Sequence, residues 1–415
     1  MAKEQIIVIG AGAAGLMAAR TLSSQYSVTI LEAGNTPGGR MCTIQDMDGG
    51  YIEAGAEFVH GHLPLTLSLL HEAGLKYYPV EGEMYQVEDG QWTQEEEMDE
   101  GWNSLLEKMG DEEQDMPLQA FLDKYYPLPG NAALREHAKA FAQGFDLADT
   151  EKAGIKFLYQ EWTNESEDNL RIEKGYSALV DFLAKGLDIR TNQCVKHITW
   201  QAGNVVVMTA SQTFRGSKVI VTVPLPVLQE DAIAFSPAID TYGEAARVIG
   251  WGSVIKIVLK FRYPFWQEKA ENIGFILSSE KIPTWWPQLP DDMPALTGWL
   301  GGHPALALKD ADDDVLLDLS FSSLAAIFNV SADYLREQLT DNHIFNWTAI
   351  PHIHGAYSYG TPGFLMAQKV LNTPVSDTVY FAGEALYNGK SPGTVEAAFS
   401  SGKAVAEKIL SSSNV

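Results

Sequence analysis

Gln5-Ile6-Ile7-Val8-Ile9-Gly10-Ala11-Gly12-Ala13-Ala14-Gly15 is the stretch from which the rest of the chain is read. Its apolar run suits a buried parallel strand. Three glycines then follow at G-x-G-x-x-G spacing, and Leu16, Ala19 and Leu22 recur at helical spacing. In such a strand–turn–helix unit Gly10 permits the tight turn, Gly12 lets a pyrophosphate approach the backbone, and Gly15 lets helix and strand pack closely. The helix N-terminus turns free N–H groups toward the anion. A second strand, Val28-Thr29-Ile30-Leu31, ends at Glu32, which is placed to accept hydrogen bonds from ribose hydroxyls. A β-α-β dinucleotide site follows.

Composition bounds what surrounds that unit. At roughly 150 residues per domain, 415 residues make two to three domains. Lys and Arg number 29 against 54 Asp and Glu, for a net charge of −25. No basic stripe exists to release counterions from a phosphate backbone, so nucleic acid is excluded as a partner. The acidity suits a cationic substrate and equally serves solubility. With 46% hydrophobic and 20% charged residues the chain is globular. Cys42 and Cys194 form no CxxC, which argues against a disulfide framework or structural zinc. His352 and His354 alone make a poor metal site. No signal peptide or spanning apolar run is present, so a soluble, cytoplasmic protein with no membrane partner is expected.

Residues 81–115 hold 14 Asp and Glu against one Lys, with Trp102, Leu105, Leu106 and Met109 at helical spacing. We read an acidic, amphipathic helical insert over roughly 80–170. The expected fold is α/β: a discontinuous Rossmann-like nucleotide domain from 1–75, 176–235 and 375–415, and a substrate domain from 76–175 and 236–374 with a mixed sheet and helices.

NAD and FAD share the glycine fingerprint. Gly38-Gly39-Arg40 adds backbone amides and a guanidinium fork for phosphate. Near the other end, Val379-Tyr380-Phe381-Ala382-Gly383-Glu384 and Ser391-Pro392-Gly393-Thr394-Val395-Glu396 lead into a terminal helix whose N-terminus suits an electron-rich ring edge. Together these segments favour FAD.

The chain resembles the flavin-containing amine oxidase family, closest in pattern to polyamine and spermine oxidases. The resemblance is carried by GAGAAG (10–15), Glu32, GGR (38–40), GAEFVHG (55–61), KGYSALVDFLA (174–184), VIVTVPLPVL (219–228), GSVIKIVLKFRYPFW (252–266), WTAIPHIHGAYSYGTPG (347–363) and FAGEALYNGKSPGTVEAAFSSG (381–402). It implies that FAD is bound by Gly10, Gly12, Ala14 and Gly15, by Glu32 and Ala33, and by Gly39 and Arg40. It adds Gly55, Ala56, Glu57, Phe58, Val195 and Trp347, and then Gly383, Glu384, Thr394 and Val395. Ala356 stands where monoamine oxidases carry the cysteine that links flavin covalently, so the cofactor is expected to be non-covalent.

Four residues are implied to carry the chemistry. Lys256 matches the lysine that holds a water against flavin N5, Tyr357 matches an aromatic wall, and His60 with Thr394 would bind the amine. Strand alternation in Ser253 to Phe261 reads Lys256 as solvent-facing instead. Lys260 matches no family position and serves as a surface comparison. Trp285-Trp286 could line a substrate entrance. The expected reaction turns an amine into an imine with O2 as acceptor, giving H2O2 and, after hydrolysis, an aldehyde. Three alternatives stay open. One is an L-amino-acid oxidase using Arg135 or Arg171 for the carboxylate. The second is a desaturase or protoporphyrinogen-oxidase-like enzyme, and the third a flavin-bound interaction module. Oligomeric state is left open.

Overall fold

The computed structural model describes residues 3–46, 48–94, 100–164, 168–270 and 272–412. Part of the acidic stretch, 95–99, lies outside the described residues. The opening strand Gln5–Ile9 is central in a five-stranded parallel sheet, flanked by Ser27–Leu31 and Lys218–Val221, with Asp188–Arg190 and Val379–Phe381 at the edges. Alternation sends Ile6 and Val8 into one core and Ile7 and Ile9 into another, so the strand is apolar throughout. Helices Ala13–Leu22, Tyr176–Ala184 and Val395–Ser412 cover the first face. A four-stranded sheet built around Val195–Gln201 and Asn204–Thr209 contributes to the core on the second.

Two glycines set the close approaches in this layer. A Cβ on Gly15 would collide with the Gly10 carbonyl oxygen, and one on Gly402 with that of Ala14. The terminal helix can therefore lie directly on the helix that follows the glycine loop.

A seven-stranded mixed sheet forms the second major layer. Its order is Leu339–Asn346, Val254–Phe261, Ala295–Gly301, Thr284–Pro287, Ile273–Ser278, Glu83–Glu88 and Gln91–Gln94. Ile255, Ile257, Leu259 and Phe261 pack against Leu316, Phe321 and Leu324 of helix Asp313–Phe328. The opposite face of Val254–Phe261 is also covered, by the cores around Val254 and Val258. This corrects the solvent-facing reading of Lys256, whose side chain is 1% exposed. Alternation reports which residues share a face; it cannot report what covers that face.

The insert is only partly helical. Helices Glu100–Asp111, Leu118–Tyr125, Ala132–Gly144 and Ile155–Asn164 pack around Trp102, Phe121, Leu158 and Trp162. Before them, Glu83–Glu88 and Gln91–Gln94 form a hairpin that extends the large sheet. Its turn is Asp89-Gly90, both at positive φ, which is the favoured two-residue hairpin chemistry. The density of acids concealed that signal. Among the described residues no single helix is long and apolar enough to cross a membrane.

Gly402→Ala tests the helix contact. Alanine gains about 1 kcal/mol of helix propensity over glycine, but overpacking against backbone costs about 1–3 kcal/mol. We expect a lower thermal midpoint for the FAD-loaded variant; an unchanged or raised midpoint would contradict the packing described.

Candidate active site and cofactor cradle

The glycine loop and the large sheet open onto one continuous cavity of about 2540 Å³. That is several-fold larger than the roughly 300–1,000 Å³ typical of a drug-sized ligand site. Apart from Gly15, which packs beneath the loop, every residue assigned by sequence to the cofactor or the chemistry lines it.

The dinucleotide end is a preformed cradle. Gly10 sits at φ +102°, and Thr222 Oγ1 donates to the Ile9 and Gly10 carbonyls at 2.8 and 3.2 Å. A Cβ on Gly12 would find only the Gly38 oxygen, at 3.9 Å, so the backbone there lies open to the cavity. Glu32 is anchored by Ala11 N–H and Gly34 N–H, each at 2.7 Å, and each carboxylate oxygen keeps a further lone pair for a ribose hydroxyl. These features fit a dinucleotide. Arg40 is less free than its sequence reading implied. Its Nη1 donates to the Ala356 carbonyl and to Glu384 at 3.1 Å, and its guanidinium lies 4.9 Å from the Trp251 ring centroid. Glu384 also accepts from Ser358 N–H and Oγ at 3.0 and 2.6 Å.

Beyond the cradle lies a buried charge cluster. Lys256 Nζ is 2.5 Å from Glu57 Oε2 and donates to the Gly55 carbonyl at 3.2 Å. Glu57 Oε1 accepts from Arg171 and, at 3.0 Å, from Trp286 Nε1. Burial alone would raise the Glu57 carboxyl. Lys256 and Arg171, with donors from Lys256 and Trp286, instead hold it below its ordinary value. The nearby Glu53 lacks that compensation: burial pushes it up to about 7 despite hydrogen bonds from Thr43 Oγ1 and Tyr176 N–H. Burial, with Glu53 assisting and Lys256 opposing, also raises the Cys42 thiol.

Strand Phe58–His60 pairs with Asn169–Ile172, setting Phe58 opposite Arg171 and His60 opposite Asn169. His60 Nδ1 lies 2.6 Å from the Asn169 carboxamide oxygen, which assigns the proton to Nδ1 and leaves Nε2 as an acceptor. The ring is open to the cavity but enclosed by protein. Burial lowers its pKa against the raising effect of Asn169, favouring neutral imidazole. Phe58, Phe275, Trp286 and Trp299 form a connected aromatic wall with successive ring separations of 5.8–6.1 Å.

Tyr357 donates its hydroxyl to the Phe145 carbonyl, and burial keeps that phenol protonated. Thr394 Oγ1 donates to Ser391 O at 2.6 Å and accepts from Ala397 N–H at 3.1 Å. Its hydroxyl therefore caps the terminal helix. Trp347 Nε1 donates to Ala54 O at 2.7 Å.

Several expectations need correction. Lys260 is no free surface lysine, because it bridges Asp46 and Asp48 at 2.7 and 2.5 Å. Trp286 lines the cavity, but Trp285 points through the sheet into the core and donates to Ile282 O. Arg135 pairs with Asp123 at 2.5 Å, and Arg171 is committed to Glu57, so both candidate carboxylate receptors have anionic partners. His352 Nε2 lies 3.7 Å from Cys194 Sγ, and His354 Nε2 accepts from His352 N–H. The sequence reading missed Phe275, Trp299 and the pairing of Glu57 with Lys256. Only the aromatic content of the strands hinted at the wall.

Comparison with known proteins places this geometry. A family model described as flavin containing amine oxidoreductase matches residues 13–410. Polyamine oxidase 4 of Oryza sativa subsp. japonica is 30% identical over 447 residues, covering 97% of this chain and 88% of that protein. Lysine-specific histone demethylase 2 of Homo sapiens is 29% identical over 445 residues, covering 98% of this chain but 53% of the relative. The chain thus spans about half the length of that demethylase. Among solved structures, cyclohexylamine oxidase from Brevibacterium oxydans IH-35A superposes with a TM-score of 0.85 at 19% identity, covering 100% of both chains. A triple mutant of putrescine oxidase from a redesign of cofactor binding gives 0.83 at 21% identity, covering 99% of each. At those identities the two structures establish the fold alone. The family model spans nearly all of the chain, from the glycine loop to the terminal helix, and on that ground the chain belongs to the flavin-containing amine oxidoreductases, with FAD as its cofactor.

Proposed function

We propose that the protein oxidises a primary or secondary amine, polyamine-like in class, with O2 as electron acceptor. One observation carries this reading: a buried lysine, held by a buried carboxylate, sits where the cofactor cradle meets an aromatic-walled arm of the cavity. FAD held in the cradle would supply the two-electron chemistry, accepting a hydride equivalent from the carbon bearing the nitrogen and returning both electrons to O2, which with two protons gives H2O2. Hydrolysis of the imine would give an aldehyde and ammonia or a shorter amine.

The chain's own residues supply binding and charge. The faces of Phe58, Phe275, Trp286 and Trp299 attract a cationic chain, and Glu88, Glu136 and Glu280 add carboxylates along the same cavity. The free Nε2 of His60 accepts from an amine nitrogen. Tyr357 supplies a wall that keeps its proton. A Lys256 ammonium, 1% exposed, stabilises negative charge developing on oxygen. The commitment of Arg135 and Arg171 to carboxylates favours an amine without a carboxylate over an amino acid.

A panel of polyamines, monoamines and amino acids, read by peroxide release, tests the substrate and acceptor together. Turnover of polyamines with stoichiometric H2O2 is expected; activity on amino acids alone, or reduction without peroxide, would contradict it. Lys256→Met should slow flavin reoxidation by on the order of 10²-fold while FAD stays bound, and unchanged reoxidation would remove the lysine's role. With Ala356 at the linkage position, acid denaturation should release all the flavin; yellow colour kept by the precipitate would contradict non-covalent binding. If the protein's acidity draws the substrate in, kcat/KM for a polyamine should fall as ionic strength rises.

A further inference from the structure

We propose that Glu57 is the positioning residue for Lys256, keeping its ammonium aimed at the cavity, and that Arg171 and Trp286 hold Glu57 in turn. This rests on the oxygen-side reading of Lys256 given above. Oε2 faces Lys256, whereas Oε1 receives Arg171 from strand Asn169–Ile172 and Trp286 from strand Thr284–Pro287. Two donors from separate elements fix Oε1, so the carboxylate cannot turn, and Oε2 is left directed at the lysine. The side chains of Lys256, Glu57 and Arg171 are 1%, 5% and 8% exposed, so each depends on the others as partners.

The charge balance is unusual for so dry a site. Two cations share the Glu57 carboxylate at the junction of cradle and substrate arm, with Glu53 nearby. Without Glu57, Lys256 would lose the carboxylate that, among the described residues, is its one ion-pair partner, and with it the contact that fixes the direction of Nζ. The other groups bearing on Lys256 are few among the described residues. Glu53 and Cys42 come from the preceding loop segment, and Glu53 gains charge as pH rises through about 7. The two neighbouring strands place uncharged Trp299 and Phe345 beside Lys256. His343, opposite Val258 two positions along, is engaged with Asp341 at 3.3 Å.

Removing the carboxylate removes the ion pair that directs Nζ, so Glu57→Gln should leave the Lys256 ammonium displaced from its place in the cavity wall. The test uses FAD-loaded protein and two readouts: the pH profile of flavin reoxidation by O2, and the pH dependence of the midpoint potential of bound flavin, which requires neither amine nor O2. For Glu57→Gln we expect both profiles to depart from wild type, with reoxidation slowed by about tenfold or more. Glu57→Asp keeps the charge on a shorter arm and should fall between Gln and wild type. FAD content and thermal midpoint report whether each variant is folded. Wild-type profiles of both kinds in Glu57→Gln would overturn the proposal. If Glu57→Gln does not retain FAD, the Asp variant decides, and an unshifted profile there overturns it. A wild-type flavin that never reacts with O2 would sink the acceptor reading alone, since the potential still reports on Glu57.

Discussion

A lysine ammonium with 1% of its side chain exposed keeps its charge only if an anion is buried with it. Glu57 is that anion, and its requirements organise much of what surrounds it. Its second oxygen needs donors, which Arg171 and Trp286 provide. Those donors come from a short strand that follows the helical insert and from the large sheet. The packing around Val254 and Val258 covers the face of Val254–Phe261 from which Lys256 projects.

The same cluster is joined to the cofactor cradle through backbone. Lys256 donates to the Gly55 carbonyl, and Gly55 lies so close to the Arg40 carbonyl that a side chain there would collide with it. Arg40 reaches across to Glu384, which also holds Ser358, next to Tyr357. The loop that receives the dinucleotide, the lysine and the tyrosine wall are therefore tied to one another by hydrogen bonds and close packing rather than merely placed near each other. A site built this way is positioned before ligand arrives, which is the condition for electrostatic stabilisation to be effective.

What was legible in the sequence follows from how local each signal is. The glycine loop, the parallel strands around it and Glu32 are encoded within a few dozen consecutive residues, and their geometry follows from spacing alone. Lys256 could be assigned to its strand face, but its burial depends on packing from distant segments over that face, which periodicity does not see. The pairing of Arg171 with Glu57 is likewise non-local, fixed by an antiparallel register between Phe58–His60 and Asn169–Ile172. The Asp89-Gly90 hairpin was legible in principle, since the turn residues stand in the sequence, yet charge density drew the reading toward helix. Adjacent tryptophans 285 and 286 separate because a strand sends neighbours to opposite faces.

The central claim is that the buried pair of Lys256 and Glu57 faces the reactive edge of the flavin from the wall shared with the substrate arm. A crystal structure of the FAD-bound protein, reduced anaerobically with an amine, tests it most directly. The account predicts Lys256 Nζ still within hydrogen-bond distance of Glu57 and turned toward flavin N5, with Arg171 and Trp286 on the other carboxylate oxygen. Lys256 directed away from the flavin, or Glu57 detached from it and bound to cofactor or amine, would contradict the account.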